Sequence, residues 1–397
     1  MVRRLVFLVG AIVFVDTVFY SALTPLLPAY AEDLGLSRAG AGVLAGAYAA
    51  GALAGGIPGG LAAARLGVKP TLLLGLAGMA VTTFVFGFAD SIVVLDAMRF
   101  LQGFASAFSW TAALTWLVAA APPHRRGELI GTAMAAAIVG ALVGPVLGGA
   151  ASIVGTGPAF ATVGVLAAAL GAWAWRTPAF PPGERQPLRM LFAAVRRPRV
   201  AASVWFVALP AMLFGTLGVL APLRLGELGF GSIAIGATFL VAAGLEAVVN
   251  PLVGRLSDRR GRLLPLRFGL VASAAVALAL PWFGHRLSLA AAVVVAGMAF
   301  GIFWAPAMAM LADAAETIGL DYAYAFALIN LAWAPFAALG AAGAGSLAEV
   351  TADAVPFSAL AVLCAATLVL VARYSERRRT GALAAGANAP TGSTSAR

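Results

Sequence analysis

Charged residues, cysteine and histidine are all scarce in this sequence of 397 residues. Only 11% of the residues are charged, whereas soluble domains carry about 25%, so the composition excludes an ordinary water-soluble domain. The single cysteine, Cys364, excludes an internal disulfide framework. The two histidines, His124 and His285, fall in different predicted loops and form no metal-ligand cluster. We therefore predict no metal site and no cofactor.

The sequence also lacks the local motifs of common enzyme and pump active sites. It contains no phosphate-binding loop of the ATPase type and no nucleophile elbow. These absences argue against an ATP-driven pump and against a membrane enzyme. We predict that the chain is not an enzyme.

Long apolar runs fill most of the chain, because 62% of its residues are hydrophobic. Each run has about the 20 residues that a helix needs to cross a bilayer. Helices satisfy the backbone polar groups in lipid, and the alternating pattern of a membrane barrel is absent. The runs predict an all-α membrane protein with transmembrane spans at residues 5–30, 39–62, 70–90, 92–119, 128–152, 157–175, 201–223, 232–254, 263–283, 288–311, 321–346 and 356–373.

Positive charge is distributed unevenly, although the formal net charge is +10. With the N-terminus in the cytoplasm, most lysines and arginines fall in loops on the cytoplasmic side. Arg38, Arg224 and Arg286 are left on the other side. This asymmetry follows the positive-inside rule and predicts a multi-pass protein of the cell (plasma) membrane with both termini cytoplasmic. Topology explains the basic surplus, and we predict no nucleic-acid partner.

A polar, proline-rich stretch divides the twelve spans into two groups of six. We predict an N-terminal six-helix bundle at 1–175, a cytoplasmic linker at 176–200 and a C-terminal six-helix bundle at 201–374. A short surface helix is expected within the linker, near 188–197. The small and polar composition of 375–397 predicts a disordered cytoplasmic tail. We expect a monomer.

Two charged turns occupy matching places in the two halves, between spans 2 and 3 and between spans 8 and 9. They resemble the signature loop of the major facilitator superfamily, Gly-x-x-x-Asp-Arg-x-Gly-Arg. The second copy fills the pattern with Gly254, Asp258, Arg259, Gly261 and Arg262. The first copy has Ala64 at the acidic position and retains Gly60, Arg65, Gly67 and Lys69. The resemblance implies that both turns form a cytoplasmic gate, in which Asp258 is the remaining acidic latch.

The loss of the acid at Ala64 suggests a substitute contact. Arg65 and Lys69 could face the acidic loop at 312–321, which contains Asp313 and Asp321. We hypothesise that this contact of reversed polarity replaces the missing latch.

Three further patterns resemble the same family. Arg99-x-x-Gln102 followed by glycine is similar to its fourth-span motif, and Asp16 before two prolines is similar to the first span of bacterial multidrug and vesicular-amine-type members. The fifth span resembles the motif of exporters, especially drug/proton antiporters, and contains Gly140, Gly144, Pro145, Gly148 and Gly149. The resemblance implies the major facilitator fold, with two pseudo-symmetric six-helix bundles that alternate access to a site between them.

Charged side chains inside the spans are costly, at about 2.5–3.5 kcal/mol near a span centre, so each is a candidate functional residue. We predict that Asp16 and Glu246 bind protons or a cationic substrate; the alternative is that a partner neutralises them and fixes helix packing. Arg99 lies on a polar stripe with Ser106 and Trp110. It is expected to tune a nearby acid or to hold an anionic group, unless Asp96 simply neutralises it.

Further polar and aromatic side chains are expected to line the same proton and substrate site. They are Tyr20 in span 1, Gln102 in span 4, Asn250 in span 8, and Asn330 and Trp333 in span 11. Ordinary core packing is the alternative for the aromatic residues.

These features predict a secondary transporter that works by alternating access, namely a proton-coupled exporter of small lipophilic or cationic compounds. An exporter of one specific metabolite and a facilitator without proton coupling stay open as alternatives. A receptor or scaffold that keeps the fold without transporting is a third, from a different class. The expected partners are the lipid bilayer, a small-molecule substrate and protons.

Overall fold

The computed structural model describes residues 2–122, 126–178, 189–320 and 322–387. Within these ranges the chain is helical apart from short turns. Twelve of its helical segments are long and apolar enough to cross a membrane. The twelve-span, all-α fold class predicted from the sequence is confirmed.

The spans are numbered in chain order. Spans 1–6 are the helices Val2–Ala22 with Leu27–Asp33, Arg38–Leu66, Val68–Gly87, Ile92–Ala120, Arg126–Val154 and Thr156–Arg176. Spans 7–12 are Pro198–Glu227, Ser232–Arg260, Leu263–Ala279, Arg286–Gly301 with Trp304–Thr317, Tyr322–Ala338 with Ala344–Val350, and Ala354–Ala387. Twelve crossings place both ends of the described chain on one side, here called the terminal face; the other side is the opposite face.

The regions outside the spans differ in how well the sequence predicts them. The linker contains the expected short helix, at Arg189–Val195. The last helix continues to Ala387, so residues 375–387 are helical where composition predicts a disordered tail. Arginine, alanine and leucine in this segment are strong helix formers, and they extend a helix already begun in span 12. Residues 388–397 lie outside the described ranges.

Each of the two signature turns ends its helix in the same way. Gly67 ends span 2 with φ 94°, and Gly261 ends span 8 with φ 85°. Glycine adopts this left-handed region without a steric penalty. Both helices therefore stop where the matching glycines of the two turns permit a reversal at the terminal face.

Close glycine contacts assemble the N-terminal bundle. In span 5, a Cβ on Gly140 would lie 2.6 Å from the Phe14 carbonyl oxygen of span 1, and one on Gly144 would lie 2.6 Å from that of Val18. On span 4, a Cβ on Gly103 would overlap the Tyr48 carbonyl of span 2. Small residues let helix backbones approach in this way in membranes. Span 5 is thereby packed closely against span 1, and span 4 against span 2.

Three spans are interrupted within the membrane region. A 3-10 turn at Thr24–Leu26 breaks span 1, where Pro25 cannot donate a backbone hydrogen bond. Span 10 is interrupted at 302–303, and span 11 contains a π-helix at Leu339–Gly343. Interrupted helices commonly lie at transporter binding sites, because their free backbone groups line a cavity. The residues around these breaks are therefore candidates for the binding site.

Candidate functional site

The carboxyl group of Asp16 lies at the centre of a polar cluster in the N-terminal bundle. Its Oδ2 accepts hydrogen bonds from Trp110 Nε1 at 2.6 Å, Tyr48 Oη at 2.8 Å and Ser106 Oγ at 3.0 Å. The Tyr48 hydroxyl also lies 2.7 Å from Ser106 Oγ, so its single proton can point to either oxygen. Spans 1, 2 and 4 therefore meet at one carboxylate oxygen.

The second oxygen of Asp16 differs from the first. The side chain is only 2% exposed, and Oδ1 has no hydrogen-bond partner in the described part of the chain. A buried oxygen without a donor is costly unless something binds it. Oδ1 is the position at which a proton or a cationic group can be added.

Arg99 contacts the interruption of span 1. Its Nη2 donates to the Tyr20 carbonyl oxygen at 2.6 Å, and its Nη1 donates to that of Phe19 at 3.3 Å. The guanidinium also lies 5.0 Å from the ring centres of Phe19 and Tyr48. Both hydrogen bonds of Arg99 go to these carbonyls, and no ion pair with Asp96 is found among the described residues, so the suggested neutralisation is not formed in this structure. Arg99 binds carbonyl groups near the end of the first helix of span 1.

Tyr20 connects this cluster to the C-terminal bundle. Its ring centre lies 4.9 Å from that of Tyr48 and 5.6 Å from that of Trp333 in span 11. Asn330, half-buried, lies one helical turn before Trp333. Gln102 lies deeper in the bundle, where its Nε2 donates to Thr83 Oγ1 at 3.4 Å. The predicted aromatic residues thus meet at the bundle interface, whereas Gln102 faces span 3.

Glu246 forms a separate site in the C-terminal bundle. Asn250 Nδ2 donates to Glu246 Oε1 at 3.4 Å, as their spacing of one turn predicts. The Glu246 side chain packs against Gly301, the last residue before the interruption of span 10. Glu246 is half-buried, and Asn250 Oδ1 has no partner among the described residues. Asp16 and Glu246 therefore lie in different bundles with different surroundings.

The residues of the predicted terminal-face gate bind within their own bundles in this structure. Lys69 donates to the Thr177 carbonyl oxygen at 2.9 Å, and Arg262 forms an ion pair with Asp313. The side chain of Asp258 and the whole of Asp321 lie outside the described residues. A contact between the two bundles at these turns stays a prediction, and in this conformation Lys69 and Asp313 have other partners.

The fifth-span motif faces two neighbours. Gly140, Gly144 and Gly148 face span 1, as described for the bundle core. Gly149 instead faces span 8, where a Cβ added to it would lie 3.5 Å from Ile233 Cα. The Pro145 carbonyl group contacts Gly236 of the same span. The motif therefore packs span 5 both inside its bundle and against the other bundle.

An ion-pair cluster that the sequence did not indicate joins the two bundles at the opposite face. Arg38 at the start of span 2 binds Glu227 Oε1 at 2.7 Å and Asp353 Oδ1 at 2.9 Å. The backbone N–H of Ala39 donates to Glu349 Oε2 at 2.8 Å. Beside the cluster, spans 2 and 11 are in contact where Gly42 lies against Ala341. The bundles are thus held together at the opposite face.

Tyr48 and Gly301 are the site residues that sequence reasoning missed. Tyr48 is a tyrosine at mid-span in a helix of glycine and alanine, and that isolation was the available signal. Gly301 gave no signal, because the sequence contains 46 glycines. Its role depends on which side chain packs against it.

Comparisons with known proteins give relatives of several transporter types. The chain is 37% identical to the MFS-type transporter ppzB of Metarhizium rileyi over 142 residues, which cover 34% of this chain and 29% of the relative. It is 30% identical to multidrug resistance protein MdtG of Serratia proteamaculans over 276 residues, 64% of this chain and 66% of the relative. The chloramphenicol resistance protein of Streptomyces lividans is 33% identical over 254 residues, 60% of this chain and 62% of the relative.

A solved structure shares the fold over nearly the whole chain. It is a bacterial homologue of the human lysosomal transporter Spinster, crystallised in an inward-facing and unoccupied conformation. The TM-score is 0.74 at 18% identity, with 94% of this chain and 96% of that chain covered. At this identity the likeness supports the fold alone.

The sequence profile described as Major Facilitator Superfamily matches residues 9–341. This match extends from span 1 into span 11, so it includes most of both predicted bundles. The family comprises membrane transporters and not enzymes. This chain therefore belongs to the Major Facilitator Superfamily.

Proposed function

We propose that this transporter is a proton-coupled exporter of small lipophilic or cationic compounds. The observation that supports the proposal best is the buried Asp16, whose Oδ2 has three donors while Oδ1 has none among the described residues. A scaffold would gain nothing from the cost of such a group in a membrane. A carrier of protons or cations needs one.

Two carboxyl groups supply the proposed coupling. Asp16 Oδ1 takes up a proton or the cationic group of a substrate, and Glu246 provides a second protonatable group in the other bundle. Tyr20 and Trp333 meet at the interface between the bundles, where their ring centres are 5.6 Å apart. A ligand that separates these rings would act on both bundles at once, which is how binding biases a pre-existing equilibrium.

The proposed substrate class rests on the site's aromatic lining and on the relatives. Tyr20, Tyr48, Trp110 and Trp333 offer ring surface beside one acid. Aromatic faces attract lipophilic cations. The relatives carry the names multidrug resistance, chloramphenicol resistance and quinolone resistance protein. We take these names as support for a lipophilic substrate.

The proposed orientation places the terminal face in the cytoplasm of the cell that bears the protein in its plasma membrane. The basic loops support this choice through the positive-inside rule. In that orientation the structure would be a conformation in which the two bundles are closed at the extracellular side. Arg38 would hold the bundles together there. Gly60, Arg65, Gly254, Asp258 and Arg259 would join them on the cytoplasmic side in the opposite conformation. One chain contains the whole site, so we propose that it acts as a monomer.

Reconstitution into liposomes tests this proposal directly. The purified protein is incorporated with a pH-sensitive dye in the lumen, and ethidium, a quinolone and chloramphenicol are added in turn. At least one compound is expected to trigger proton movement that protein-free liposomes do not show. Movement of a compound without protons would favour an uncoupled facilitator, and no transport of any compound would count against this substrate class.

A further inference from the structure

Gly301 in span 10 lies against Glu246, the second of the two acids proposed to couple protons to transport. Spans 8 and 10 run in the same direction, and two glycines of span 10, one helical turn apart, each face a residue of span 8. Ala242 faces Gly297, and Glu246 faces Gly301. The second pair lies where the helix Arg286–Gly301 ends. The acid thus reaches span 10 at its interruption.

The Glu246 side chain occupies the space that a side chain at position 301 would need. A Cβ added there would lie 2.5 Å from Glu246 Cγ, 2.7 Å from Cδ and 2.9 Å from Oε1. Any side chain at position 301 would displace the carboxyl group. The atoms displaced are the end of a flexible side chain and not backbone, so the helices could keep their positions.

Buried aromatic residues flank the interruption of span 10, and one amide lies beside the acid. Phe300 and Phe303, on either side of the interruption, are fully buried. The Phe214 ring of span 7 contacts Phe300 at 5.8 Å between ring centres. Asn250 is the amide that donates to Glu246, at 3.4 Å. The helix ends at the interruption of span 10 are therefore packed among buried rings.

We propose that Gly301 is a positioning residue that holds the Glu246 carboxyl group at the interruption of span 10 by lacking a side chain. This inference rests on the proposed coupling role of Glu246 and deepens it. Proton coupling then depends on the contact between Glu246 of span 8 and Gly301 of span 10. Glu246 and the interruption of span 10 then move as one unit.

Substitutions at Gly301, Gly297 and Glu246 separate this role from ordinary packing. Gly301→Ala is expected to reduce substrate-induced proton flux in liposomes by about tenfold or more, because small displacements of a reacting group have effects of that size. Gly297→Ala places a Cβ 3.1 Å from Ala242 Cβ, a milder contact between the same two spans that does not touch the acid, and is expected to retain most of the flux. Size-exclusion profiles check that each variant folds.

A compensating change provides the decisive arm. Glu246→Ala removes Cγ, Cδ and Oε1 and with them the overlap, so Gly301→Ala is expected to lower the melting temperature in detergent in the wild-type background and to leave it unchanged in the Glu246→Ala background. Unchanged flux in Gly301→Ala would overturn the inference. So would equal losses of flux in Gly301→Ala and Gly297→Ala, or a change in melting temperature from Gly301→Ala that is the same in the wild-type and Glu246→Ala backgrounds. Wild-type flux in Glu246→Gln would instead refute the proposed coupling role itself.

Discussion

At the residue scale, the donors around Asp16 differ from those around Glu246. Three side chains from spans 2 and 4 donate to Asp16, whereas Glu246 has one amide donor and a glycine contact. Hydrogen bonds to a charged group stabilise it more than those to a neutral one. The two acids should therefore respond differently to the loss of a single neighbour.

Removing one donor from Asp16 should weaken coupled transport. Trp110→Phe is expected to reduce substrate-induced proton flux by about tenfold, because a hydrogen bond to a charged group contributes about 1.5–3 kcal/mol. Ser109→Ala is the matched control, since the Ser109 hydroxyl donates to the Ser106 carbonyl and not to Asp16. Equal flux in Trp110→Phe and wild type would show that this donor is not needed.

The sequence predicted the acids but not their neighbours. Asp16, Arg99 and Glu246 stand out because charge is rare in apolar runs. Tyr48 donates to Asp16 from span 2, and no periodicity in a glycine- and alanine-rich helix specifies that approach. Arg99 binds carbonyl groups of span 1, a contact that the sequence did not indicate, and its expected effect on a nearby acid stays a prediction. Tertiary contacts decide such roles.

At the element scale, small residues determine how closely the spans approach. Span 5 contacts span 1 through Gly140, Gly144 and Gly148, each of which lies against backbone atoms. Backbone cannot move aside as a flexible side chain can. The fifth-span motif is therefore required for packing in this structure, whatever further part it has in export.

A methyl group at Gly144 should destabilise the bundle. Gly144→Ala is expected to lower the free energy of unfolding by about 1–3 kcal/mol, the usual effect of overpacking. The melting temperature in detergent, followed by intrinsic fluorescence, measures the change. Gly131→Ala on the same helix is the control, because no described atom outside its own stretch of helix lies within 4 Å of the added Cβ. Equal melting temperatures for the two variants would contradict this packing.

Helix existence was easier to predict than helix continuity. Twelve apolar runs gave twelve spans, because length and hydropathy suffice for that. The interruption of span 10 at 302–303 and the π-helix of span 11 were not predicted. Pro335 precedes the π-helix, and the Thr216 hydroxyl donates to the Gly340 carbonyl within it. Such local departures depend on contacts with another helix.

At the whole-molecule scale, the bundles are joined at the opposite face by charge and by close backbone packing. Arg38 binds carboxylates from span 7 and from the loop before span 12, so opening this face must break both pairs. Exposed ion pairs contribute about 0.2–1 kcal/mol each. The cluster is thus strong enough to bias the conformational equilibrium and weak enough to release.

Reversing the charge at Arg38 should favour opening of the opposite face. Arg38→Glu removes two pairs, which at about 0.2–1 kcal/mol each correspond to a shift of about two- to thirtyfold in the equilibrium. Spin labels at Ser91 and Gly284, one in each bundle, report the change as a longer distance. Arg286→Glu is the control, since Arg286 lies over the Phe230 ring within its own bundle. Identical distance distributions in both variants would exclude this role for Arg38.

The most direct measurement of the proposed function is substrate-induced proton flux through liposomes that contain wild type, Asp16→Asn or Glu246→Gln. Both substitutions keep side-chain size while removing the group that takes up a proton. Wild type should move protons with a transported compound, and each variant should lose that flux while the protein stays folded. Flux at the wild-type level in both variants would contradict the proposal that these two acids couple protons to transport.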